Sequence, residues 1–304
     1  MLALGVRKAV HAFGKSIKPV HLVGSRHLVS RNLGMKGKSK NRRDIVMDSD
    51  DDESLFGRSP ATYSSFNDNM GMMSSIKEPV IKPRNERQRA YLAALDAESP
   101  TIVIGTGAAG TGKTMLACSV AIKKLANNEI NKLIITRPMV NVDDEDGIGF
   151  LPGSLEEKCA PWLAPLTDVF YKYISPPKFQ SLIAKQVIEI CPLDMMRGRS
   201  FEDAYIIVDE AQNCSTTQML MLLTRIGNRT KLVITGDPMQ HDRKRAYAVN
   251  GLSDFLARIA SSAETHPERV TDMCVVHFDE ECIVRHPVIK SILRMYDVSY
   301  PPSA

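Results

Sequence analysis

Residues Thr101–Thr114 read TIVIGTGAAGTGKT, and the rest of the chain is best understood from this stretch outward. Its opening Thr-Ile-Val-Ile is a β-branched run of the kind that fits a parallel strand covered on both faces. The run passes into Gly107, Ala108, Ala109, Gly110, Thr111, Gly112, Lys113 and Thr114, a complete Walker A pattern, and then into MLACSVAIKKLA, which reads as a helix. Strand, glycine loop and helix in that order make a phosphate cradle. Glycines let the backbone turn its N–H groups inward, and the helix adds the positive end of its dipole. Lys113 reaches β- and γ-phosphates, and the Thr114 hydroxyl can hold Mg²⁺. The stretch therefore predicts a site for a nucleoside triphosphate.

Composition sets the bounds. The chain has 304 residues, 43% of them hydrophobic, with no apolar run long enough for a membrane helix. Six scattered cysteines without a C-x-x-C pair argue for free thiols in a reducing compartment, against a disulfide frame or zinc site. Net charge is +4, but residues 1–80 carry 13 Lys/Arg against 8 Asp/Glu, leaving 26 basic and 27 acidic residues in the remainder. Any nucleic-acid surface on the folded part must then be a local patch.

Residues 1–43 contain eleven Lys/Arg and no acid, and the sign flips over Asp44–Glu53, with six acids. With no helix or strand period able to bury a face, residues 1–80 are expected to be a disordered tail, and 81–304 the folded domain. The first thirty residues resemble a mitochondrial transit peptide. A basic arm contacting nucleic acid, or a true start at Met35, reads the same residues equally simply. The expected location is accordingly cytoplasmic, or mitochondrial if 1–30 is a transit peptide.

Beyond the tail, helical spacing over 84–95 leads into the strand at 101. Strands are expected at 132–136, 205–208, 231–235 and 273–278, with a further short one at 187–190. Helices are expected near 178–186, 215–226, 250–260 and 287–296. Five core strands alternating with helices give an α/β fold, three layers around a mainly parallel sheet.

Asp209-Glu210 ends an apolar strand in the Walker B position, at the sheet edge where ligands of such folds lie. Asp209 is suited to hold Mg²⁺ through water, and Glu210 to orient or deprotonate the attacking water. Gly236-Asp237-Pro238-Met239-Gln240 follows the next strand onto the same edge, where Gln240 is placed to sense a γ-phosphate. Gln88, just upstream of the first strand, either reads an adenine edge or is an ordinary exposed helix residue.

Together these blocks resemble the PhoH family of P-loop ATPases, relatives of the superfamily 1 helicases. GAAGTGKT, LIITRP, GFLPGSLEEK, PLDMMRGRSFEDAYIIVDEAQN, LTRIG, ITGDPMQ, NGL, VVHF and IVRHPVI follow that family's order from about Pro83 to Asp297. The resemblance implies a single RecA-like domain that hydrolyses ATP with Mg²⁺, a role in RNA metabolism or unwinding, and assembly into homo-oligomeric rings, a hexamer being favoured. It implies that Gln88 contacts adenine, that Lys113 and Thr114 bind phosphate and Mg²⁺, that Asp209 and Glu210 form Walker B, and that Gln240 senses the γ-phosphate. Arg245 and Arg285 are candidates for transition-state charge; Arg285-His286-Pro287 reads equally as a helix junction, with His286 structural. Trp162, Phe170, Tyr171 and Tyr173, with Lys158 and Lys172, either stack bases of a single strand or form core and subunit contacts. The expected function is ATP hydrolysis coupled to remodelling of RNA or single-stranded nucleic acid, away from any membrane. The alternative is a regulatory or assembly ATPase without helicase activity.

Overall fold

The computed structural model describes residues 76–138, 164–240, 250–283 and 288. Strands β1 (Ile102–Gly107), β2 (Lys132–Arg137), β3 (Ile188–Pro192), β4 (Ala204–Val208), β5 (Lys231–Gly236) and β6 (Met273–Phe278) form one sheet. Its order is β3-β2-β4-β5-β1-β6, and every neighbouring pair is parallel. The short strand expected at 187–190 therefore joins the sheet as an edge strand, making six strands. β1, β4 and β5 are buried along their whole length, and apart from Lys231 at the start of β5 they are written in apolar, glycine and β-branched residues.

Successive side chains leave opposite faces of each strand and feed two separate cores. Val103, Leu133, Ile135, Ile207 and Val233 point to one face, where helices α1 (Glu86–Asp96), α2 (Lys113–Ala126) and α3 (Pro176–Ala184) pack. Ile102, Ile104, Ile134, Ile206, Leu232 and Ile234 point to the other, covered by α4 (Thr216–Leu223) and α5 (Gly251–Thr265). The result is the three-layer, RecA-like P-loop architecture. Packing begins earlier than the expected boundary at 81, since Ile76 is buried in the first core and Lys77 N–H donates to the Tyr173 carbonyl at 3.0 Å. The expected disorder of the tail and the expected helix at 287–296 fall outside the described residues, apart from Ile76–Val80 and Val288. Among the described residues no helix is long and apolar enough to cross a membrane.

Helix starts differ in a way that matters for the site. Asn85, Ser215 and Asn250 cap α1, α4 and α5 by accepting from backbone N–H groups one turn on. α2 instead starts at Gly112, which has φ +89° and no side-chain cap. Its first amides thus face the loop that precedes them, at the carboxyl edge of the sheet.

Candidate active site

The loop between β1 and α2 closes tightly on itself. Gly107 holds φ +125°, and a Cβ there would lie 1.9 Å from the Phe278 carbonyl, so only glycine lets the loop leave β1 beside the end of β6. Thr111 is fully buried and its hydroxyl donates to the Ala108 carbonyl at 2.9 Å. Lys113 lies under the loop, its Nζ donating to the carbonyls of Gly107 at 2.6 Å and Ala108 at 2.7 Å, with Thr111 Oγ1 at 3.3 Å. Burial pushes the Lys113 ammonium below the ordinary lysine range, against the opposing pull of Asp237, Glu210 and Asp209. A buried lysine within the field of these carboxylates can balance phosphate charge, as the carboxylates can balance a cation.

Register brings the next residues in. Thr136 pairs with Val208, and Asp209 N–H donates to the Thr136 carbonyl at 3.0 Å, so the acidic pair begins where β2 and β4 end. Asp209 is 6% exposed, and its Oδ1 accepts from Thr114 Oγ1 at 2.6 Å and from Thr235 Oγ1 at 2.7 Å. Thr235, on β5, was not singled out from the sequence; its only sequence signal is a hydroxyl residue following the apolar Leu232–Ile234. Glu210 takes the left-handed backbone (φ +53°), unusual for a residue with a side chain, and starts the 3-10 turn Ala211–Asn213. Its carboxylate meets Gln212 Nε2 at 2.5 Å and Arg137 Nη2 at 3.6 Å. Sequence reasoning assigned no role to Arg137 or Gln212, although both sit inside the quoted blocks.

Gln240 follows the turn after β5, exposed, with its N–H donating to the Asp237 carbonyl at 3.1 Å. Asp237 is buried, and its Oδ1 accepts from Met239 N–H at 3.0 Å, which shapes that turn. Gln88 is not an exposed helix residue. At 3% exposure its Nε2 donates to the Thr111 carbonyl at 3.1 Å and its Oε1 accepts from Arg84 N–H at 2.8 Å. It thereby braces the phosphate loop from α1. On the other flank, Arg87 donates to the His277 carbonyl at 2.6 Å and pairs with Asp279 at 2.9 Å, fastening α1 to the end of β6. Burial, then the Arg87 charge, holds the His277 imidazole below its ordinary value.

Ala109 and Gly110 lie at the outer rim of the loop, and Gly112 at the foot of α2. The structure therefore gathers Gln88, the loop 107–114, Asp209, Glu210 and Gln240 at one edge. Arg245, Arg285 and His286 lie outside the described residues, as do Trp162 and Lys158. Of the described aromatics, Phe170 is fully buried and packs on Phe179 at 5.5 Å between centroids, so it belongs to the core and cannot stack on a base. Tyr173 is partly buried against the same core, whereas Tyr171 is 41% exposed.

A profile described as PhoH-like protein matches residues 80–297. The chain belongs to the PhoH-like family. It is 39% identical over 220 residues to a PhoH-like protein of Synechocystis, covering 72% of this chain and 63% of that protein. It is also 39% identical over 223 residues to one of Bacillus subtilis, covering 73% of this chain and 66% of that one. Identity to Protein PhoH of Escherichia coli K12 is 36% over 218 residues, 71% of this chain and 58% of that protein. The chain thus spans less than two thirds of the length of these relatives. Among solved structures, the large terminase from a thermophilic bacteriophage is similar over 71% of this chain and 51% of its own, with a TM-score of 0.41 and 11% identity.

Proposed function

We propose that this PhoH-like chain binds ATP with Mg²⁺ and hydrolyses it, and that hydrolysis is coupled to work on RNA or single-stranded nucleic acid. The observation that carries the first half is the direct contact of Thr114 with Asp209 at 2.6 Å beside buried Lys113, with Glu210 next in the chain. A hydroxyl and a carboxylate are the protein share that Mg²⁺ takes when phosphates and waters supply its remaining ligands. Among the described residues no cluster of three or more His, Cys, Asp and Glu forms a self-contained metal site, and this smaller donor set fits the ion. When bound, the ion neutralises charge developing on β- and γ-oxygens.

The chain's own groups divide the remaining tasks. Loop amides and the start of α2 receive the phosphates, and Lys113 gives up its carbonyl partners for phosphate oxygens. Glu210 orients the attacking water and accepts its proton, and Gln240 reads the γ-phosphate from the neighbouring turn. Gln88 reads adenine from its place against the loop. Arg245 or Arg285 supplies transition-state charge from a neighbouring subunit, across an interface with the one RecA-like sheet that the described residues make. A ring with head-to-tail interfaces, a hexamer in the favoured form, is the simplest assembly that completes such a site.

The test is ATP turnover with no polymer, with RNA and with single-stranded DNA, for wild type, Lys113→Ala and Glu210→Gln. Lys113→Ala should lose triphosphate binding, while Glu210→Gln should bind and not turn over. Turnover by Glu210→Gln at the wild-type rate refutes the assignment. Turnover unaffected by either polymer favours the regulatory or assembly ATPase instead. Mixing Lys113→Ala with an Arg245→Ala or Arg285→Ala variant should restore turnover if the site is shared between subunits, and a sum of the two separate activities rejects that arrangement.

A further inference from the structure

The carboxylate of Glu210 is held at both oxygens by side chains from different elements. Gln212 Nε2 donates to Oε2 at 2.5 Å, and Arg137, from the end of β2, places Nη2 3.6 Å from Oε1. The other end of the Gln212 amide is also engaged, since its Oε1 accepts from Asp237 N–H at 3.0 Å. Only one orientation of the amide serves both neighbours, because a backbone N–H must meet the oxygen and a carboxylate must meet the NH₂. Gln212 is 4% exposed, so its amide is shielded from bulk water while the Glu210 carboxylate stays accessible to it.

The surroundings are shaped to admit this side chain. A Cβ at residue 236 would lie 2.6 Å from Gln212 Oε1, so the glycine ending β5 makes room for the amide. The left-handed backbone of Glu210 and the 3-10 turn after it bring the side chains of Glu210 and Gln212 together across two residues. Gln212 therefore spans two loops, one following β4 and one following β5.

We propose that Gln212 is a positioning residue that ties the Glu210 carboxylate to the Asp237 turn, with Arg137 steadying the second oxygen. Through this amide the Glu210 carboxylate and the turn leading to Gln240 keep one geometry, so contact with the γ-phosphate and orientation of the water are set together. The inference rests on the reading of Glu210 as the carboxylate that faces the attacking water. It goes beyond that reading by naming what aims it.

Gln212→Glu is the discriminating substitution. It keeps length, planarity and the acceptor for Asp237 N–H, and replaces the donor toward Glu210 by a second acceptor. Displacement of a reacting group by about 1 Å costs roughly 10²-fold in rate, so kcat should fall by about that factor while the Kd for ATP with Mg²⁺ stays within about twofold. Arg137→Ala should lower kcat in the same sense but less, with partial recovery in Arg137→Lys. In the exchanged pair Glu210→Gln with Gln212→Glu, amide and carboxylate meet again with roles reversed, so thermal stability returns to that of wild type while turnover stays absent. If Gln212→Glu does not accumulate as folded protein, Gln212→Met, of similar length and without a donor, carries the same test. A wild-type kcat in the Gln212 variants beside an inactive Glu210→Gln overturns this inference and leaves the functional reading intact. Loss of ATP affinity in step with kcat also overturns it, by reducing Gln212 to scaffolding. An active Glu210→Gln overturns the reading on which both stand.

Discussion

Replacing Thr235 by valine isolates one hydrogen bond at the centre of the site. Thr235 is fully buried, and its single hydroxyl proton goes to Asp209 Oδ1 at 2.7 Å, with the Val208 carbonyl farther away at 3.3 Å. Valine keeps the branched shape and leaves no cavity, so the change removes the donor and little else. A hydrogen bond to a charged group is worth about 1.5–3 kcal/mol. Thr114 still donates to the same oxygen at 2.6 Å, which places the expected loss near the lower end, about 1.5–2 kcal/mol. For a domain of this size that is a fall in Tm of roughly 3–8 °C, measured by calorimetry without nucleotide at pH 7. With the bond that orients it from β5 lost, the carboxylate should also need roughly tenfold more Mg²⁺ for half-maximal turnover. Thr235→Ser, which retains the hydroxyl and loses only the methyl, should recover most of both losses. A Thr235→Val protein with wild-type Tm and Mg²⁺ dependence refutes the reasoning, and so does a serine variant as damaged as the valine one.

Three further outcomes follow from other parts of the molecule. Glu189 is held by Arg199 and by Lys132 at 2.7 Å, which keeps its carboxyl down to about 2 from an ordinary 4.5. Its stabilisation is therefore present above about pH 4.5 and lost as pH falls toward 2, worth about 1–2 kcal/mol after solvent screening; Glu189→Gln should lower Tm at pH 7 and converge with wild type near pH 2–3, and a pH-independent difference would reject the pairing. Gly107→Ala places Cβ 1.9 Å from the Phe278 carbonyl, whereas Gly112→Ala meets nothing closer than Gln88 Nε2 at 3.6 Å. The first should cost more than about 3 kcal/mol and the second about 1–2 kcal/mol, so equal Tm values for the two variants would contradict the packing. Chains starting at residue 76 and at residue 81 should differ, because Ile76 is buried in the core. The shorter should melt roughly 3–12 °C lower, and indistinguishable melting would remove Ile76 from the fold.

What could be read in advance was whatever the chain writes contiguously. The P-loop needs strand, glycines and helix in immediate succession, and strands buried on both faces need apolar runs, so the architecture and Lys113, Thr114, Asp209 and Glu210 lay open in one dimension. Arg137 and Gln212 did not, because their meaning arises across strands. β2 lies next to β4, which brings Arg137 to Glu210 from 73 positions away, and β4 lies next to β5, which sets Gln212 against Asp237. Gln88 was visible as a motif residue, yet its burial was not. Only the packing of α1 beside β1 turns it onto the Thr111 carbonyl. Phe170 carried the opposite ambiguity, since aromatic spacing alone does not separate a stacking platform from a core contact.

The strand order also dictates when during synthesis this site comes into being. β1 carries the phosphate loop near the start of the domain, but its neighbours are β5 and β6, with Ile102 paired to Leu232 on one side and Met273 on the other. Until the ribosome has released those distant segments, β1 has no partner on either edge and the loop has no Phe278 carbonyl to close against. The chain must keep a β-branched, aggregation-prone segment waiting while more than half of its length is made. A chain that ends before β6 leaves one edge of β1 unpaired, so the loop takes its final form only once β6 is in place.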